Sequence, residues 1–217
     1  FFNYNFQVSK FKENLKNLIM DKKNGKTNYV SLNISHGIAF NRSKYKSWRK
    51  KQENIFDNIL GNLGIHYIEL MVSLYGKVEK IKTVFKKNAN QKSSDTGFIY
   101  LEFKKNVIAN MYFSYAGTFE QNINFYLSNS IIKVINNKIK LYFPRDTYDK
   151  SGKFTHPKIR KKIIINNLQA ENLMSSIIFF KNIIKNKKNF NLSSFNHSLY
   201  VNKLLLDQNS NFKKFSI

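Results

Sequence analysis

Two side chains that can handle a proton and a hydroxyl group lie close together near residue 64. Asn62 and His66 are four positions apart, and on a helix residues four apart project from one face. An imidazole beside an amide can give or take a proton at a hydroxyl-bearing carbon while the amide holds the hydroxyl. The pair alone is a weak signal, because a single histidine on an apolar helix is more often a structural core residue.

The periodicity around this pair predicts a helix over about 57–75, since apolar residues recur there at helical spacing and Gly76 follows. A second amphipathic helix is predicted over about 8–20, and a strand over 29–38. Between them, the polar stretch 41–54 is predicted to be a loop, and it contains Trp48 and Arg49.

After Gly76 the apolar period changes to two, which is typical of strands. Short connections between consecutive strands indicate an antiparallel meander. We therefore expect an α+β fold with an open, mainly antiparallel (mixed) β-sheet of about six strands and helices packed on one face. Residues 1–217 are expected to form a single domain, whose bare sheet face another subunit would cover. The β-prone runs are 78–85, 98–103, 107–115, 123–127, 131–135 and 139–143, followed by a possible edge strand at 159–165 and helices near 170–187 and 195–207.

Composition excludes several classes of function. The chain has no cysteine, and its four histidines show no metal-ligand spacing, so no metal site is expected. No apolar run reaches the length of a membrane span, which favours a cytoplasmic protein without a membrane partner. The net charge of +24 comes almost wholly from dispersed lysines that accompany many Asn, Ile, Phe and Tyr residues. This pattern favours a solvated surface over a specific nucleic-acid site.

The segment Gly61–Leu70 resembles the motif G-G-G-x-x-x-D-x-G-x-H-x-x-D of the Gfo/Idh/MocA oxidoreductases, with His66 at the histidine. Seven further motifs resemble the family in the same order along the chain. They are Tyr4-Asn5-Phe6 for Y-R-F, 11–26 for the next helix and turn, Trp48-Arg49 for W-R, 74–78 for L-x-G-x-V, 95–103 for D-T-x-x-x-x-L-x-F, 111–114 for the following strand, and 175–188 for a late helix.

The chain also departs from the family pattern. Phe56-Asp57-Asn58 replaces the triple glycine, Asn62 replaces the usual aspartate, and Glu69 replaces the second aspartate but keeps its carboxylate. Losing the charge at position 62 removes a group that would raise the basicity of the histidine.

The resemblance implies that this chain is the C-terminal domain, with an N-terminal Rossmann domain absent from it. It implies a hydride transfer between NAD or NADP and a sugar, cyclitol or nucleotide sugar, in a role such as surface-polysaccharide synthesis. His66 would be catalytic, and Tyr45, Trp48, Arg49 and Asn62 would bind substrate. Tyr4 is the one candidate for contact with the cofactor, and the chain alone is expected to be inactive.

Two other functions remain open at this point. The lost glycines and Asn62 are also typical of a non-catalytic binding or oligomerisation module. A basic nucleic-acid-binding protein is the less favoured reading.

Overall fold

The computed structural model describes residues 4, 6–41, 58–89, 93–145, 147–165, 168–185 and 192–212. The helices and strands of these residues form an α+β fold, in which the eight strands belong to one sheet. The helices are α1 (Lys10–Met20), α2 (Ile65–Tyr75), α3 (Leu168–Lys185) and α4 (Leu192–Phe212). The strands are β1 (Thr27–Ser35), β2 (Val78–Lys86), β3 (Thr96–Phe103), β4 (Val107–Ser114), β5 (Glu120–Leu127), β6 (Ile131–Ile135), β7 (Lys138–Tyr142) and β8 (Ile159–Ile164).

Helix α1 shows how local sequence sets these boundaries. The Ser9 side chain accepts a hydrogen bond from the Lys12 backbone N–H at 3.2 Å, so the helix starts at Lys10 rather than at the predicted residue 8. Phe11 and Leu15 are fully buried on one face. The helix therefore packs its apolar side against the core.

The sheet has the strand order β2-β3-β4-β1-β5-β6-β7-β8. All neighbouring pairs are antiparallel except β1 and β4, which run parallel. The expected open, mainly antiparallel mixed sheet is confirmed.

Two details of the expectation were wrong. The sheet has eight strands rather than about six, because β1 and β8 join the same sheet. The meander is also interrupted, since β1 lies between β4 and β5. Val30, for example, pairs with Ala109 on one side and with Phe125 on the other. Local spacing shows that consecutive strands have short connections. It does not show that a strand from elsewhere in the chain lies between two of them.

One face of the sheet carries the core. Alternate residues of the inner strands, such as Leu101, Ala109, Leu32 and Phe125, are fully buried on that face. Helix α2 packs on α4, and α1 packs on α3.

The opposite side, which we call the open face, is more polar. Cross-strand pairing aligns its side chains in rows that run across the sheet. The central row runs Lys82, Tyr100, Asn110, Ser31, Asn124, Lys133, Lys140 and Lys162. Strands β2, β3, β4 and β1 line a shallow concavity of about 620 Å³ on this face.

Candidate active site around His66

The helix that carries His66 begins with a side-chain cap and a π-helical turn. The Asn58 Oδ1 atom accepts hydrogen bonds from the backbone N–H groups of Leu60 (2.8 Å) and Gly61 (3.1 Å). Residues Leu60–Gly64 then form a π-helical turn, and α2 follows directly. Single π turns inside helices are rare overall, and those that occur are often found at functional sites.

Two glycines let this turn lie close to the sheet. A Cβ atom at Gly97 would lie 2.8 Å from Leu60 Cδ2, closer than real Cβ atoms come. A Cβ at Gly64 would lie 3.1 Å from the same atom and 3.4 Å from Phe113 Cε2. Because Leu60 and Phe113 are fully buried, neither has room to move aside. The glycines therefore fix how closely the start of the His66 helix approaches β3 and β4.

His66 lies in the first turn of α2, half-buried rather than packed inside the core. The His66 and Tyr4 rings pack in a T-shaped arrangement, with their centroids 6.3 Å apart and their planes at 76°. Burial lowers the pKa of His66 below its ordinary value of 6.5, and the negative charge of Glu69 opposes this shift. The imidazole is therefore neutral at pH 7, the form that can accept a proton.

Tyr4 is itself held in place by helix α4. Its hydroxyl donates to the Ser198 carbonyl at 3.2 Å and accepts from Asn202 Nδ2 at 2.6 Å. Burial and the nearby Glu69 charge raise the pKa of Tyr4 to about 12. Tyr4 therefore keeps its proton at neutral pH, and its hydroxyl is held by Ser198 and Asn202.

Glu69 is a fully buried carboxylate one turn beyond His66. Its Oε1 atom accepts a hydrogen bond from Ser73 Oγ at 2.6 Å and lies 3.2 Å from His197 Nε2. Lys12 Nζ lies 3.7 Å from the same oxygen. One carboxylate therefore joins three helices, because these partners lie on α1, α2 and α4.

The surroundings of Glu69 keep it ionised. Burial alone would raise its pKa, but the hydrogen bond with His197, the Lys12 charge and the hydrogen bond from Ser73 together hold it below 4.5. The pKa of Lys12 is lowered by burial, and Glu69 partly offsets that effect. A fixed negative charge therefore lies next to the His66 imidazole at neutral pH.

The predicted site residues fall into two groups. Asn62 and His66 lie on either side of the junction between the π turn and α2, and Asn62 Nδ2 donates to the Asn58 carbonyl at 3.4 Å. Tyr45, Trp48 and Arg49 lie outside the described residues, so their contact with substrate stays a prediction.

The sequence patterns identify none of the partners of Glu69. A carboxylate within the apolar run of α2 was the available signal, since a buried charge needs a counter-charge or hydrogen bonds. The identity of the partners was hidden, because Lys12 and His197 are distant in sequence.

The described part of the chain contains no group of three or more His, Asp or Glu side chains placed to hold a metal ion. None of its helices is long and apolar enough to cross a membrane.

Comparisons with known structures identify the same fold in several oxidoreductases. An oxidoreductase from Thermotoga maritima aligns with a TM-score of 0.72 and 19% identity, over 94% of this chain and 58% of its own. UDP-N-acetylglucosamine 3-dehydrogenase from Acidithiobacillus ferrooxidans aligns with a TM-score of 0.61 and 15% identity, over 96% and 59%. Levoglucosan dehydrogenase, solved with NADH and levoglucosan, aligns with a TM-score of 0.63 and 11% identity, over 78% and 52%.

The chain thus spans little more than half the length of these proteins. A comparison with curated proteins found no match. The model of the oxidoreductase family C-terminal alpha/beta domain, in the Gfo/Idh/MocA group, matches residues 16–152, which is more than half of the chain. The chain therefore belongs to the Gfo/Idh/MocA oxidoreductase family and carries its C-terminal α/β domain.

Proposed function

We propose that this chain is the substrate-binding half of an NAD(P)-dependent oxidoreductase acting on a hydroxyl or ketone of a sugar, cyclitol or nucleotide sugar. The observation that carries the proposal is the half-buried imidazole of His66 at the start of α2, whose pKa burial lowers, in a segment that resembles the family's histidine motif. Two similar structures, whose names describe sugar dehydrogenases, support the substrate class. A place in surface-polysaccharide synthesis, in the cytoplasm, is the corresponding cellular role.

His66 would move the proton that accompanies hydride transfer. In the oxidation direction the neutral imidazole takes the proton of the carbinol hydroxyl while the hydride leaves the same carbon, so a ketone forms. In the reduction direction the imidazolium returns that proton to the oxygen. Asn62 would hold the hydroxyl, and the fixed charge of Glu69 would stabilise the imidazolium.

A nicotinamide cofactor would supply the hydride acceptor or donor. The eight glycines of this chain include no G-x-G-x-x-G run, the feature that binds the cofactor diphosphate in Rossmann domains. The cofactor would therefore rest mainly on a separate nucleotide-binding domain. Here Tyr4 is the candidate contact, because its buried ring stands beside His66.

A two-part experiment tests this function. Residues 1–217 alone are expected to bind NAD(H) and NADP(H) too weakly to measure by calorimetry. The protein that joins this domain to a nucleotide-binding domain is expected to reduce NAD⁺ or NADP⁺ with some member of a panel of sugars, cyclitols and nucleotide sugars. Tight dinucleotide binding by 1–217 alone would contradict the assignment of the cofactor, and no turnover across the panel would favour a non-catalytic module.

We also propose that the open face is the contact between copies of this chain. Its centre is rich in tyrosine, phenylalanine and asparagine, and interface cores favour aromatic side chains over charged ones. Tyr29 stacks on Tyr126 at 5.5 Å, and Phe98 lies 4.9 Å from Tyr112. These pairs form a fixed surface on adjacent strands.

A lysine placed in that centre should weaken the association. Asn110→Lys is expected to raise the dimer dissociation constant at least about tenfold, because like charges meeting across a two-fold interface cost several kcal/mol. Asn17→Lys, on the exposed side of α1, is the matched control. Sedimentation velocity measures both, and equal effects or a monomeric wild type would contradict the proposal.

A further inference from the structure

Strand β8 forms one edge of the sheet. It pairs with β7 on its inner side, and no other described strand pairs with its outer side. All but one of its residues are exposed. An edge strand presents a row of unpaired backbone N–H and C=O groups that can accept another strand.

A line of three lysines on the open face runs to this edge. Lys133 pairs across the strands with Lys140, and Lys140 pairs with Lys162. Neighbouring strands are about 4.8 Å apart, and like charges directly opposite each other destabilise a sheet. The Nζ atom of Lys133 lies 5.2 Å from the centre of the Tyr142 ring. The line thus ends at Lys162, on the outermost strand, without a carboxylate beside it in the cross-strand pairing.

The side chains next to Lys162 on this face are apolar. Ile159 pairs with Tyr142, and Ile164 pairs with Lys138, so both lie on the same side of the sheet as Lys162. They are about half exposed, at 49% and 59%. The edge therefore shows an apolar–basic–apolar pattern to any strand that adds to it.

We propose that β8 binds an extended acidic segment of another protein as a ninth strand. A carboxylate opposite Lys162 would end the line of like charges with an opposite one, and apolar side chains on either side would cover Ile159 and Ile164. Backbone hydrogen bonds would supply affinity and the side-chain pattern specificity, as in other strand-addition complexes. The addition extends the edge, so it leaves the centre of the open face available.

A second copy of β8 does not fit this edge. The strand contains Arg160, Lys161 and Lys162 and no acidic residue, so pairing it with itself would bring cations together. Charged residues on edge strands prevent this kind of self-addition in natural proteins. The same charges favour an acidic partner, and the proposal is independent of the chemistry at His66.

Peptide binding to the full 217-residue chain tests the proposal. The probe is a blocked nine-residue threonine peptide with glutamate at position 5 and valine at positions 3 and 7, so that one face of the extended peptide reads valine–glutamate–valine. It is compared with the same peptide carrying lysine at position 5 and with the glutamate peptide N-methylated at every amide. Fluorescence anisotropy measures affinity. Lys162→Glu is expected to weaken binding of the glutamate peptide about tenfold and to create binding of the lysine peptide. Lys153→Glu, in an exposed turn outside the strand, is the matched control and should change little.

Amide hydrogen exchange gives an independent reading. The glutamate peptide should slow exchange in 159–164, and the N-methylated peptide should not, because it cannot complete the backbone pairing. Equal losses for Lys162→Glu and Lys153→Glu would overturn the proposal in favour of unspecific attraction. Equal binding of the N-methylated peptide would overturn strand addition. Tighter, Lys162-dependent binding of an oligothymidylate would assign the edge to nucleic acid instead.

Discussion

His66→Ala is expected to lower turnover at least about 100-fold in the protein that joins this domain to a nucleotide-binding domain. A loss of this size is typical when an acid–base group is removed. Cofactor affinity should stay nearly unchanged, because the dinucleotide would rest mainly on the other domain. The measurement is steady-state kinetics together with calorimetric titration of the cofactor. Since burial lowers the pKa of His66, the rate of alcohol oxidation in the wild type should be lost only as the pH falls below 6.5.

The control for this variant is His156→Ala, which removes an exposed histidine in the segment before β8 and should leave turnover unchanged. Asn62→Ala should raise the Michaelis constant of the substrate as well as lower turnover, since an amide that holds the hydroxyl acts in binding. A parallel loss of turnover and cofactor affinity in His66→Ala would instead show that the ring is structural.

Glu69→Ala is expected to lower the free energy of unfolding by about 2–3 kcal/mol at pH 7. Removing the Glu69 carboxylate leaves Lys12 and His197 without their negatively charged partner. The loss of stability stays moderate because both side chains are partly exposed to water. Chemical denaturation followed by circular dichroism measures it. Glu79→Ala, on an exposed position of β2, should change the free energy by less than about 0.5 kcal/mol.

The pH dependence separates charge from packing. The folded protein holds the pKa of Glu69 below 4.5, so its ionic contribution is complete above that value and is lost as the pH falls through the lowered pKa. The difference between wild type and Glu69→Ala should therefore shrink in acid. A difference that is constant down to pH 3 would mean that Glu69 acts only by filling space.

The sequence predicted those features whose signal is local. The apolar spacing from Leu60 to Leu74 and the glycine at 76 located the helix of His66, and Gly76 does follow its end with a positive φ of 86°. Period-two runs located the strands to within a few residues. Both signals depend only on which side of an element faces the core.

Other features depend on contacts that the local pattern does not record. The π turn at 60–64 keeps its apolar side inward, so a helical pattern does not distinguish it from an ordinary turn, although Gly61 and Gly64 were a hint. In the sequence, Asn58 stands out only because it replaces a glycine of the family's triple-glycine motif. Its role as the helix cap was not predicted. The position of β1 in the middle of the sheet depends on partners far along the chain, and so do the contacts of Glu69.

That central position of β1 bears on how the molecule folds. Strands β2–β4 and β5–β8 can each form from neighbouring hairpins, but neither group pairs with the other until β1 lies between them. Closing those distant pairings costs chain entropy before any contact compensates for it, and proteins rich in such contacts fold slowly. During synthesis β1 leaves the ribosome before β4 and β5, so both of its edges stay unpaired until those two strands have been made.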